Sequence, residues 1–342
     1  MAATDPAGPP LPQAPVAGPA IAPGQSVTVV VPATTANLGP GYDCLGLALG
    51  LHDTLTVTTT ADAGVRVDIE GEGAGCLPTD ASHLVARTIL ARWASAGAAP
   101  AGLRLHAHNV IPHGRGLGSS AAAIVSALTA ADALLPEALR RDLSTRDPVF
   151  AAAARLEGHP DNVAPAVFGA LTLSLQDGEA ATSTTLALDE AIVPVVAVPD
   201  VELSTRTARS LLPATVPHAT AAANGARVGL LVHALAGDPA LLLAATEDRL
   251  HQEHRAPAMP ASAELIARLR AAGHAAVVSG AGPTVLVLAA SQDEAREVVG
   301  LIAEAPDAVQ DTVEDTDAQA ASVSWRVLMP GVDRVGARLE AH

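Results

Sequence analysis

The feature that most constrains this chain is a glycine-rich segment between a predicted strand and a predicted helix. The segment consists of Pro112, His113, Gly114, Arg115, Gly116, Leu117, Gly118, Ser119 and Ser120. Alternation over residues 103–107 predicts the strand, and an alanine-rich run over residues 119–135 predicts the helix. Glycines allow close approach of a ligand, and a helix N-terminus presents unpaired N–H groups with the positive end of its dipole. The segment therefore predicts an anion site that needs no lysine.

Two other interpretations of the glycine-rich segment are open. A helix that follows a glycine turn and is capped by serine has the same pattern without any ligand. Residues 114–118 also resemble the turn of a dinucleotide-binding βαβ unit. That fingerprint directly follows the first strand, whereas roughly 85 residues of predicted structure precede this loop. We therefore favour a phosphate site of another kind.

The basic residues exclude several kinds of chemistry. All 20 of them are arginine, because the sequence contains no lysine. The chain therefore has no Walker-A lysine, no lysine for a pyridoxal Schiff base and no protein-kinase strand lysine. Aromatic residues make up only 1% of the sequence, so small aliphatic side chains must fill the core.

Charge and hydropathy limit the partners that we expect. The formal net charge of −16 argues against a nucleic acid or an anionic membrane. No apolar run is long enough to span a membrane, and the N-terminus lacks the basic region of a secretory signal. Cys44 and Cys76 form at most one disulfide, which favours a reducing, cytoplasmic location. A homodimer is the general expectation for an enzyme of this kind.

The order of predicted elements indicates an α+β fold with two domains. Residues 1–24, rich in Ala, Pro and Gly, predict a disordered tail, and ordered structure is expected from about Ser26. The predicted domains are residues 25–185 and 186–342, with the boundary region near residues 178–190. Strands are predicted at residues 26–31, 54–60, 65–69, 103–107, 170–175, 192–198, 275–279, 284–288 and 323–328. Helices are predicted at residues 119–135, 151–156, 224–236, 239–250, 262–272 and 292–303, and residues 304–320 predict a loop or weak helix.

Residues 32–43 lead from a predicted strand into a Pro/Gly turn that carries an amide and a carboxylate. These are the side chains of Asn37 and Asp43. Together they can hydrogen-bond a polar substrate and neutralise an amine. Asn and Asp also favour turns for purely local reasons, so turn formation alone would explain the pattern equally well.

Four polar side chains crowd into a short segment between a predicted helix and a predicted strand. They are Glu157, His159, Asp161 and Asn162. A carboxylate here can bind magnesium, because hard cations prefer oxygen ligands, and an amide can orient a hydroxyl group. A lone histidine is more often structural, but the density of polar residues favours a functional site.

Arginines in the second half of the chain are candidates for binding a carboxylate. Thr205 and Arg209 share a face if their segment is helical, and Arg255 ends a second charged segment. Two converging guanidinium groups suit a carboxylate, since each presents a planar fork of donors. A solvated helix surface is the simpler interpretation of any single arginine. Gly280 and Gly282 lie in a predicted turn between two strands, which could support an active-site loop or be a plain hairpin.

Taken in order, these motifs resemble the GHMP kinase superfamily over residues 26–330. The glycine-rich segment resembles its phosphate-binding motif, and residues 279–283 resemble its third motif. Residues 32–43, 159–165 and 205–209 resemble the members that act on L-homoserine. The resemblance implies two α/β sandwich domains with ATP and substrate between them. It also implies transfer of the ATP γ-phosphoryl group to the hydroxyl of L-homoserine, on the route to threonine.

The resemblance also implies roles for individual residues. Residues 112–120, Gly280 and Gly282 would contact ATP, and the Mg²⁺ ligands would be Ser120 and Glu157. The substrate site would contain Asn37, Asp43, His159, Asp161, Asn162, Thr205, Arg209 and Arg255, of which Asn162, Asp161 and Arg209 would act in catalysis. The family often has a longer stretch between the magnesium glutamate and the histidine, whereas here only Gly158 separates them.

Phosphoryl transfer depends mainly on positioning and charge neutralisation. We expect Asp43 to bind the substrate ammonium, Arg209 and Arg255 to bind its carboxylate, and Asn162 to aim its hydroxyl. An amide cannot accept the hydroxyl proton, so the proton passes either to the γ-phosphate or to Asp161. Two other functions stay open at this point. One is a related kinase for mevalonate, a sugar or a terpenoid precursor, and the other is a non-catalytic module that binds ATP or a metabolite.

Overall fold

The computed structural model describes residues 20–141, 145–304 and 323–340, whose strands form a seven-stranded sheet, a four-stranded sheet and a two-stranded pair. The strands are β1 (Ala20–Ile21), β2 (Ser26–Asn37), β3 (Gly41–Thr60), β4 (Gly64–Gly71), β5 (Ala99–Pro100), β6 (Gly102–Asn109), β7 (Leu171–Asp177), β8 (Ala180–Leu186), β9 (Val193–Pro199), β10 (Ala276–Val278), β11 (Val285–Ala289), β12 (Trp325–Leu328) and β13 (Arg338–Leu339). The α-helices are α1 (Leu84–Ser95), α2 (Ser119–Leu134), α3 (Asp147–Glu157), α4 (Val163–Phe168), α5 (Thr205–Ser210), α6 (His218–Gly237), α7 (Leu242–Ala245), α8 (Gln252–Arg255), α9 (Pro260–Ala271) and α10 (Gln292–Ala303). Short 3₁₀ turns lie at Pro239–Leu241 and Ala256–Ala258.

The seven-stranded sheet is built around the long strand β3. Its order is β13-β2-β3-β6-β4, and β7 also pairs with β3 and with β8. Along β3, residues 45–47 pair with β7 and residues 54–60 pair with β6. The register between β2 and β3 shifts between Pro32 and Ala33, where proline cannot donate a ladder hydrogen bond. Beyond this shift the hairpin ends in the turn that carries the candidate residues 37–43.

Helix α2 lies at the centre of the helical layer on this sheet and is buried on both sides. Its small side chains contribute to two separate apolar clusters, which explains how a chain with few aromatic residues fills its core. Trp93 of α1 is fully buried, and its indole N–H donates to Ala131 O at 2.9 Å. Buried Asp132 of α2 pairs with Arg92 and Arg141. This packing fixes the helix whose first turn follows the glycine-rich loop.

The four-stranded sheet is antiparallel, with the order β10-β11-β9-β12. Apolar residues of α9 and α10, such as Leu269 and Val298, pack with one set of its side chains. Leu231 and Leu235 of α6 belong to a cluster that also contains residues of the seven-stranded sheet. One core therefore joins the two halves of the molecule. The predicted α+β fold with two mixed domains is confirmed.

The last described residues return to the seven-stranded sheet. Strand β13 pairs with β2, and the carboxylate of Asp333 lies 2.7 Å from His52 Nε2 of β3. Ala170 N donates to Asp333 O at 2.7 Å. Residues 330–340 therefore pack on the first sheet, although the sequence assigned all of residues 186–342 to the second domain. A strand of two residues leaves no periodic pattern, so this return could not be predicted from the residues.

Ordered structure also begins earlier than predicted. Strand β1 pairs in parallel with β5, Ile21 is only 2% exposed, and Gly24 N donates to Thr59 O at 2.7 Å. Including residues 20–24 in the disordered tail was therefore wrong, and residues 1–19 lie outside the described residues. A two-residue strand within a Pro/Gly-rich stretch is too short to detect by periodicity.

Most predicted strands and helices are present, but two local predictions were wrong. The predicted helix 239–250 stops at Ala245, because the Asp248 carboxylate accepts hydrogen bonds from the backbone N–H groups of residues 250–252 and forms a turn. The strand predicted to end at residue 31 continues to Asn37 as β2, so the turn that it leads into is shorter than predicted. Residues 305–320 of the predicted acidic loop lie outside the described residues. Within the described part of the chain, no helix is both long and apolar enough to cross a bilayer.

Candidate active site

The glycine-rich segment forms a loop that leads into α2. Gly114, Gly116 and Gly118 have φ angles of 64°, 77° and 70°, in the left-handed region that favours glycine. Gly118 is the N-cap of α2 and has no side chain to cap the first turn. The N-terminus of a 16-residue helix is therefore left without a side-chain cap, with the positive end of its dipole toward the loop. This geometry suits a phosphate group.

The loop packs closely against three other parts of the site. A Cβ atom at Gly118 would lie 1.9 Å from Thr34 Oγ1 and 3.1 Å from Asn162 Oδ1. A Cβ atom at Gly116 would lie 2.2 Å from Ser279 O. The glycines therefore allow the loop to contact β2, the segment before α4 and the β10–β11 hairpin. Motifs that are far apart in the sequence meet at this loop.

Ser120 and Glu157 form a pair of oxygen donors beside the loop. Ser120, in the first turn of α2, donates its hydroxyl to Glu157 Oε2 at 2.8 Å, and Glu157 is the last residue of α3. A hydroxyl and a carboxylate are the kinds of ligand that Mg²⁺ prefers. In the described residues, no group of three or more His, Cys, Asp or Glu side chains is placed to hold a metal. A cation here would therefore complete its coordination with other oxygens, such as those of a bound phosphate.

The side chain of Arg115 anchors the loop to the second sheet instead of pointing into the phosphate position. Arg115 donates to Pro199 O at 2.9 Å and to Asp200 O at 3.1 Å. Leu203 N donates to Gly114 O at 2.9 Å. The loop is therefore tied to the segment that leads into α5. His113 lies against Gly73, where an added Cβ atom would be 2.9 Å from its ring.

The turn between β2 and β3 has an unusual backbone that brings its two predicted residues together. Asn37 and Asp43 have φ angles of 70° and 56°, values that Asn and Asp tolerate better than most residues. Asp43 N donates to Asn37 Oδ1 at 3.0 Å, and Asn37 Nδ2 donates to Gly280 O at 2.7 Å. The amide of Asn37 thus fixes both the turn and the β10–β11 hairpin beside it.

Asp43 and Arg209, predicted to bind opposite ends of a substrate, form an ion pair with each other. Arg209 donates to both carboxylate oxygens of Asp43, at 2.6 and 3.0 Å, and to the hydroxyl of Tyr42 at 2.7 Å. Burial alone would lower the pKa of Arg209, but its bonds to Asp43 raise that pKa instead. Arg209 therefore stays charged over the whole physiological range. The segment around Arg209 is helical and forms α5.

Arg255 is almost completely buried, with 1% of its surface exposed, and lies next to this pair. It donates to Gly280 O at 3.0 Å and lies 3.2 Å from His251 Nδ1. Burial lowers its pKa from the usual high value. Among the residues that the structure describes, Arg255 pairs with no carboxylate, and its Nε has no hydrogen-bond partner. The charges of Asp43 and Asp248 favour this buried cation from a distance, but neither carboxylate forms an ion pair with it, so an anionic ligand at this position would be stabilising.

His159, Asp161 and Asn162 form a connected group before α4. His159 Nδ1 lies 2.7 Å from Asp161 Oδ1, which also accepts from Asn162 N at 3.0 Å. Burial is the largest single influence on the pKa of His159 and lowers it, but the hydrogen bond to Asp161 and the charges of Asp161 and Glu157 together raise the net pKa. Burial is also the largest single influence on the pKa of Asp161 and raises it, but His159, Arg209 and the Asn162 N–H together lower the net pKa. The hydrogen-bonded His159–Asp161 pair therefore underlies Asn162, whose Oδ1 accepts from Thr34 Oγ1 at 2.8 Å.

The β10–β11 hairpin supports the site from the second domain. Ser279 Oγ donates to Gly116 O at 2.7 Å and contacts Thr35 Oγ1 at 2.8 Å. The carbonyl of Gly280 is occupied by Asn37 and Arg255, and a Cβ atom at Gly282 would lie 2.6 Å from Met259 Sδ. Gly280 and Gly282 thus hold the loop and the two sides of the site together.

Most of the predicted site residues lie in one region and contact one another. Thr205 differs, because its side chain contacts none of the others through a hydrogen bond. Thr205 begins α5 and is exposed, and no hydrogen bond of its side chain occurs among the described residues. Sequence reasoning assigned no role to four residues that contact the site, namely Thr34, Tyr42, His251 and Ser279. Tyr42 could have been noticed, since it is the one tyrosine of the chain and precedes Asp43.

Comparison with known families agrees with this arrangement. Residues 83–170 match the GHMP kinase N-terminal domain, and residues 230–305 match the GHMP kinase C-terminal domain. The first match contains the glycine-rich loop, Glu157 and Asn162, and the second contains Arg255 and the β10–β11 hairpin. The chain belongs to the GHMP kinase family.

Several curated relatives identify the branch of that family. A homoserine kinase from Clavibacter michiganensis is 51% identical over 285 residues, which are 83% of this chain and 89% of that protein. One from Streptomyces avermitilis is 51% identical over 288 residues, or 83% and 93% of the two chains. Within the GHMP kinases, this chain is a member of the homoserine kinase family.

Solved structures show the same relationship. A homoserine kinase from Cytophaga hutchinsonii superimposes with a TM-score of 0.75 at 26% identity, covering 92% of this chain and 97% of that one. A mevalonate diphosphate decarboxylase from Staphylococcus aureus superimposes with a TM-score of 0.61 at 13% identity, covering 93% and 98%. The second likeness shows the shared fold alone.

Proposed function

We propose that this small-molecule kinase transfers the γ-phosphoryl group of ATP to the side-chain hydroxyl of L-homoserine, giving O-phospho-L-homoserine and ADP for threonine biosynthesis. One observation carries the proposal. The glycine loop, suited to phosphate, contacts Asn162, while Asp43, Arg209 and Arg255 lie beside the same turn and hairpin. An amide that can hold a hydroxyl therefore lies between a phosphate position and a set of charges suited to an amino acid.

The charges of this set match a zwitterion. The ammonium group of an amino acid replaces Arg209 as partner of the Asp43 carboxylate, and its carboxylate takes the donors of Arg209 and Arg255. Asp43 and Arg209 then each keep an oppositely charged partner, and the buried Arg255 gains one. Planar guanidinium forks bind a carboxylate with two parallel hydrogen bonds. A sugar or mevalonate would leave Asp43 without an ammonium partner.

Ser120 and Glu157 are the residues that would hold Mg²⁺, and their oxygen donors, 2.8 Å apart, fit that ion. A bound Mg²⁺ would neutralise charge on the phosphate oxygens of ATP. The backbone of residues 114–120 would bind the phosphates. Because this side of the site relies on backbone N–H groups and two oxygen ligands, it functions without the lysine that this sequence lacks.

Asn162 is the residue that would orient the substrate hydroxyl. Thr34 Oγ1 donates to Asn162 Oδ1, so the NH₂ group of the amide is the end left to face the substrate oxygen. That oxygen forms a bond to the γ-phosphorus, and the bond from this phosphorus to the β–γ bridging oxygen breaks as ADP leaves. Positioning of this kind supplies much of the acceleration in phosphoryl transfer.

The hydroxyl proton is proposed to pass to an oxygen of the transferred phosphoryl group. Asp161 is the alternative base, but it is 2% exposed and its carboxylate already accepts from His159 and from Asn162 N. Its lowered pKa makes it a weak base. Asp161 and His159 are therefore assigned the role of holding Asn162 in place.

The location and assembly of the enzyme are proposed to be those expected from the sequence. Cys44 and Cys76 are both free thiols, which supports a reducing, cytoplasmic location. A homodimer is proposed on general grounds, and light scattering after size exclusion would measure it.

A coupled assay of ADP release tests the proposed function. With ATP and magnesium, the enzyme should turn over L-homoserine far faster than mevalonate, galactose, L-serine or L-threonine. Faster turnover of another alcohol would be consistent with the proposed phosphate site but would contradict the roles assigned to Asp43, Arg209 and Arg255. ATP binding without turnover of any alcohol would instead indicate a binding module.

A further inference from the structure

Tyr42 is a half-buried aromatic residue that contacts both arginines of the amino-acid side. The Cζ atoms of Arg209 and Arg255 lie 5.5 and 5.4 Å from the centroid of its ring, within the range of cation–π attraction. The ring of His251 lies 5.3 Å away. Two nearby guanidinium groups repel each other, and attraction of each to the same aromatic ring offsets part of that repulsion. Tyr42 therefore helps to keep two cations close together.

The O–H group of Tyr42 is available to donate a hydrogen bond. It accepts a hydrogen bond from Arg209 Nη1 at 2.7 Å. Burial, together with the charge of Asp43, raises the pKa of Tyr42, so the phenol keeps its proton at neutral pH. Within the described part of the chain, the hydrogen bond of this hydroxyl group is the one that it accepts from Arg209, and it donates none. The unused proton therefore lies beside the two guanidinium groups proposed to bind a carboxylate.

We propose that Tyr42 is a specificity-determining residue for the α-carboxylate of the substrate. Its O–H group donates to one carboxylate oxygen, while its ring keeps Arg209 and Arg255 in the positions that bind the same carboxylate. The inference rests on the proposed function, because that function supplies the amino-acid substrate. It adds a neutral third donor to a site otherwise made of charged groups.

The test compares the enzyme with Tyr42→Phe, which keeps the ring and removes only the hydroxyl. Two competitive inhibitors are measured against L-homoserine. L-2-aminobutyrate keeps the ammonium and carboxylate but lacks the hydroxyl, and 3-aminopropan-1-ol keeps the ammonium and hydroxyl but lacks the carboxylate. In Tyr42→Phe the inhibition constant of L-2-aminobutyrate should rise about tenfold, as expected for a lost hydrogen bond to a charged group. That of 3-aminopropan-1-ol should change less than about twofold.

A purely structural role for Tyr42 predicts a different pattern. If the residue only fills space, both inhibitors should lose affinity equally or neither should, and either result overturns the proposal. Tyr42→Leu, which also removes the ring, should weaken L-2-aminobutyrate further. Thr58→Val removes a hydroxyl from a distant part of β3 and should leave both inhibition constants and the KM for ATP unchanged.

The two proposals fail in distinguishable ways. If the unaltered enzyme does not phosphorylate L-homoserine, the proposed function is wrong. If it does, and Tyr42→Phe binds L-2-aminobutyrate as tightly as the unaltered enzyme, only the role of Tyr42 is wrong.

Discussion

The phosphate side and the amino-acid side of this site are assembled differently. The phosphate side comes from one stretch of chain, residues 112–120, and uses mainly backbone groups at the start of a buried helix. The amino-acid side brings together the charged side chains of Asp43, Arg209 and Arg255, which come from three separate parts of the chain. The phosphate side depends on glycine positions where a side chain would clash. The amino-acid side depends on charged side chains that require oppositely charged partners. Substitutions should therefore damage the two sides in different ways.

The largest effect is expected from Gly118→Ala. The new Cβ atom would lie 1.9 Å from Thr34 Oγ1, and the left-handed backbone at this position already disfavours alanine. Since the clash displaces the loop, we expect kcat/KM for ATP to fall about a thousandfold. Gly178→Ala is the matched control, because Gly178 is also left-handed at φ 59° but has open space around it. Equal losses in the two variants would show that backbone strain, and not the contact with Thr34, explains the effect.

Asn162→Ala should give the next largest effect and tests the contact between the two sides. Loss of the amide that orients the hydroxyl should lower kcat about a hundredfold, because the amide acts on the reacting oxygen. The KM for ATP should stay within about threefold, since the loop backbone is unchanged. Steady-state kinetics with both substrates varied would measure this. An unchanged kcat would contradict the role of Asn162 in orienting the substrate hydroxyl.

Arg209→Ala tests the amino-acid side alone. It should raise the KM for L-homoserine about thirtyfold or more, because it removes a carboxylate donor and leaves Asp43 without its partner. The KM for ATP should hardly change. Arg206→Ala is the matched control, since Arg206 lies on the same helix α5 and is exposed. A large rise in the KM for ATP would instead place Arg209 on the phosphate side and contradict the proposed division of the site into two sides.

The smallest effect is expected from His159→Gln, which concerns the support beneath Asn162. The pKa of His159 is raised, so its contribution to stability is complete below its unfolded pKa and fades as pH rises through the folded pKa. The pKa of Asp161 is lowered, so its contribution is present above its unfolded pKa and is lost only at lower pH. The variant should therefore lose most stability between about pH 4 and 6.5.

Thermal unfolding at several pH values measures that difference. The loss in Tm should be a few degrees near pH 5.5 and smaller at pH 9, where the imidazole is neutral. A loss that is constant with pH, or grows above pH 8, would mean that His159 and Asp161 do not form the ion pair described.

The same contrast explains what the sequence could predict. The loop, the helix α2 and the positions of Ser120 and Glu157 follow from local patterns, namely glycine spacing and helical periodicity. The bond between Asp43 and Arg209 joins residues 166 positions apart, and no local pattern encodes which charges pair in the folded chain. Thr34 gave no signal of its own, because a threonine within a strand is common in any core, whereas Tyr42 offered only its place beside Asp43 as the one tyrosine of the chain.

Two of the parts of the fold that escaped prediction illustrate different reasons for the failure. Asp248 ends the helix predicted over residues 239–250 by accepting three backbone N–H groups, a side-chain preference that competes with helix formation. The return of residues 330–340 to the first sheet depends on pairing with β2 and β3, which is long-range. The elements that were predicted well, such as α9 and α10, are long and clearly periodic.

The most direct test of the proposed substrate is a competition between four alcohols in a single reaction. The enzyme would receive ATP, magnesium and equal concentrations of L-homoserine, L-serine, mevalonate and galactose, and ³¹P NMR would identify each phosphorylated product. The account predicts one product, O-phospho-L-homoserine, formed in equal amount to ADP. A dominant phosphorylated sugar or mevalonate, or ADP accompanied only by inorganic phosphate, would contradict the claim that the two sides of the site meet on a zwitterionic amino acid.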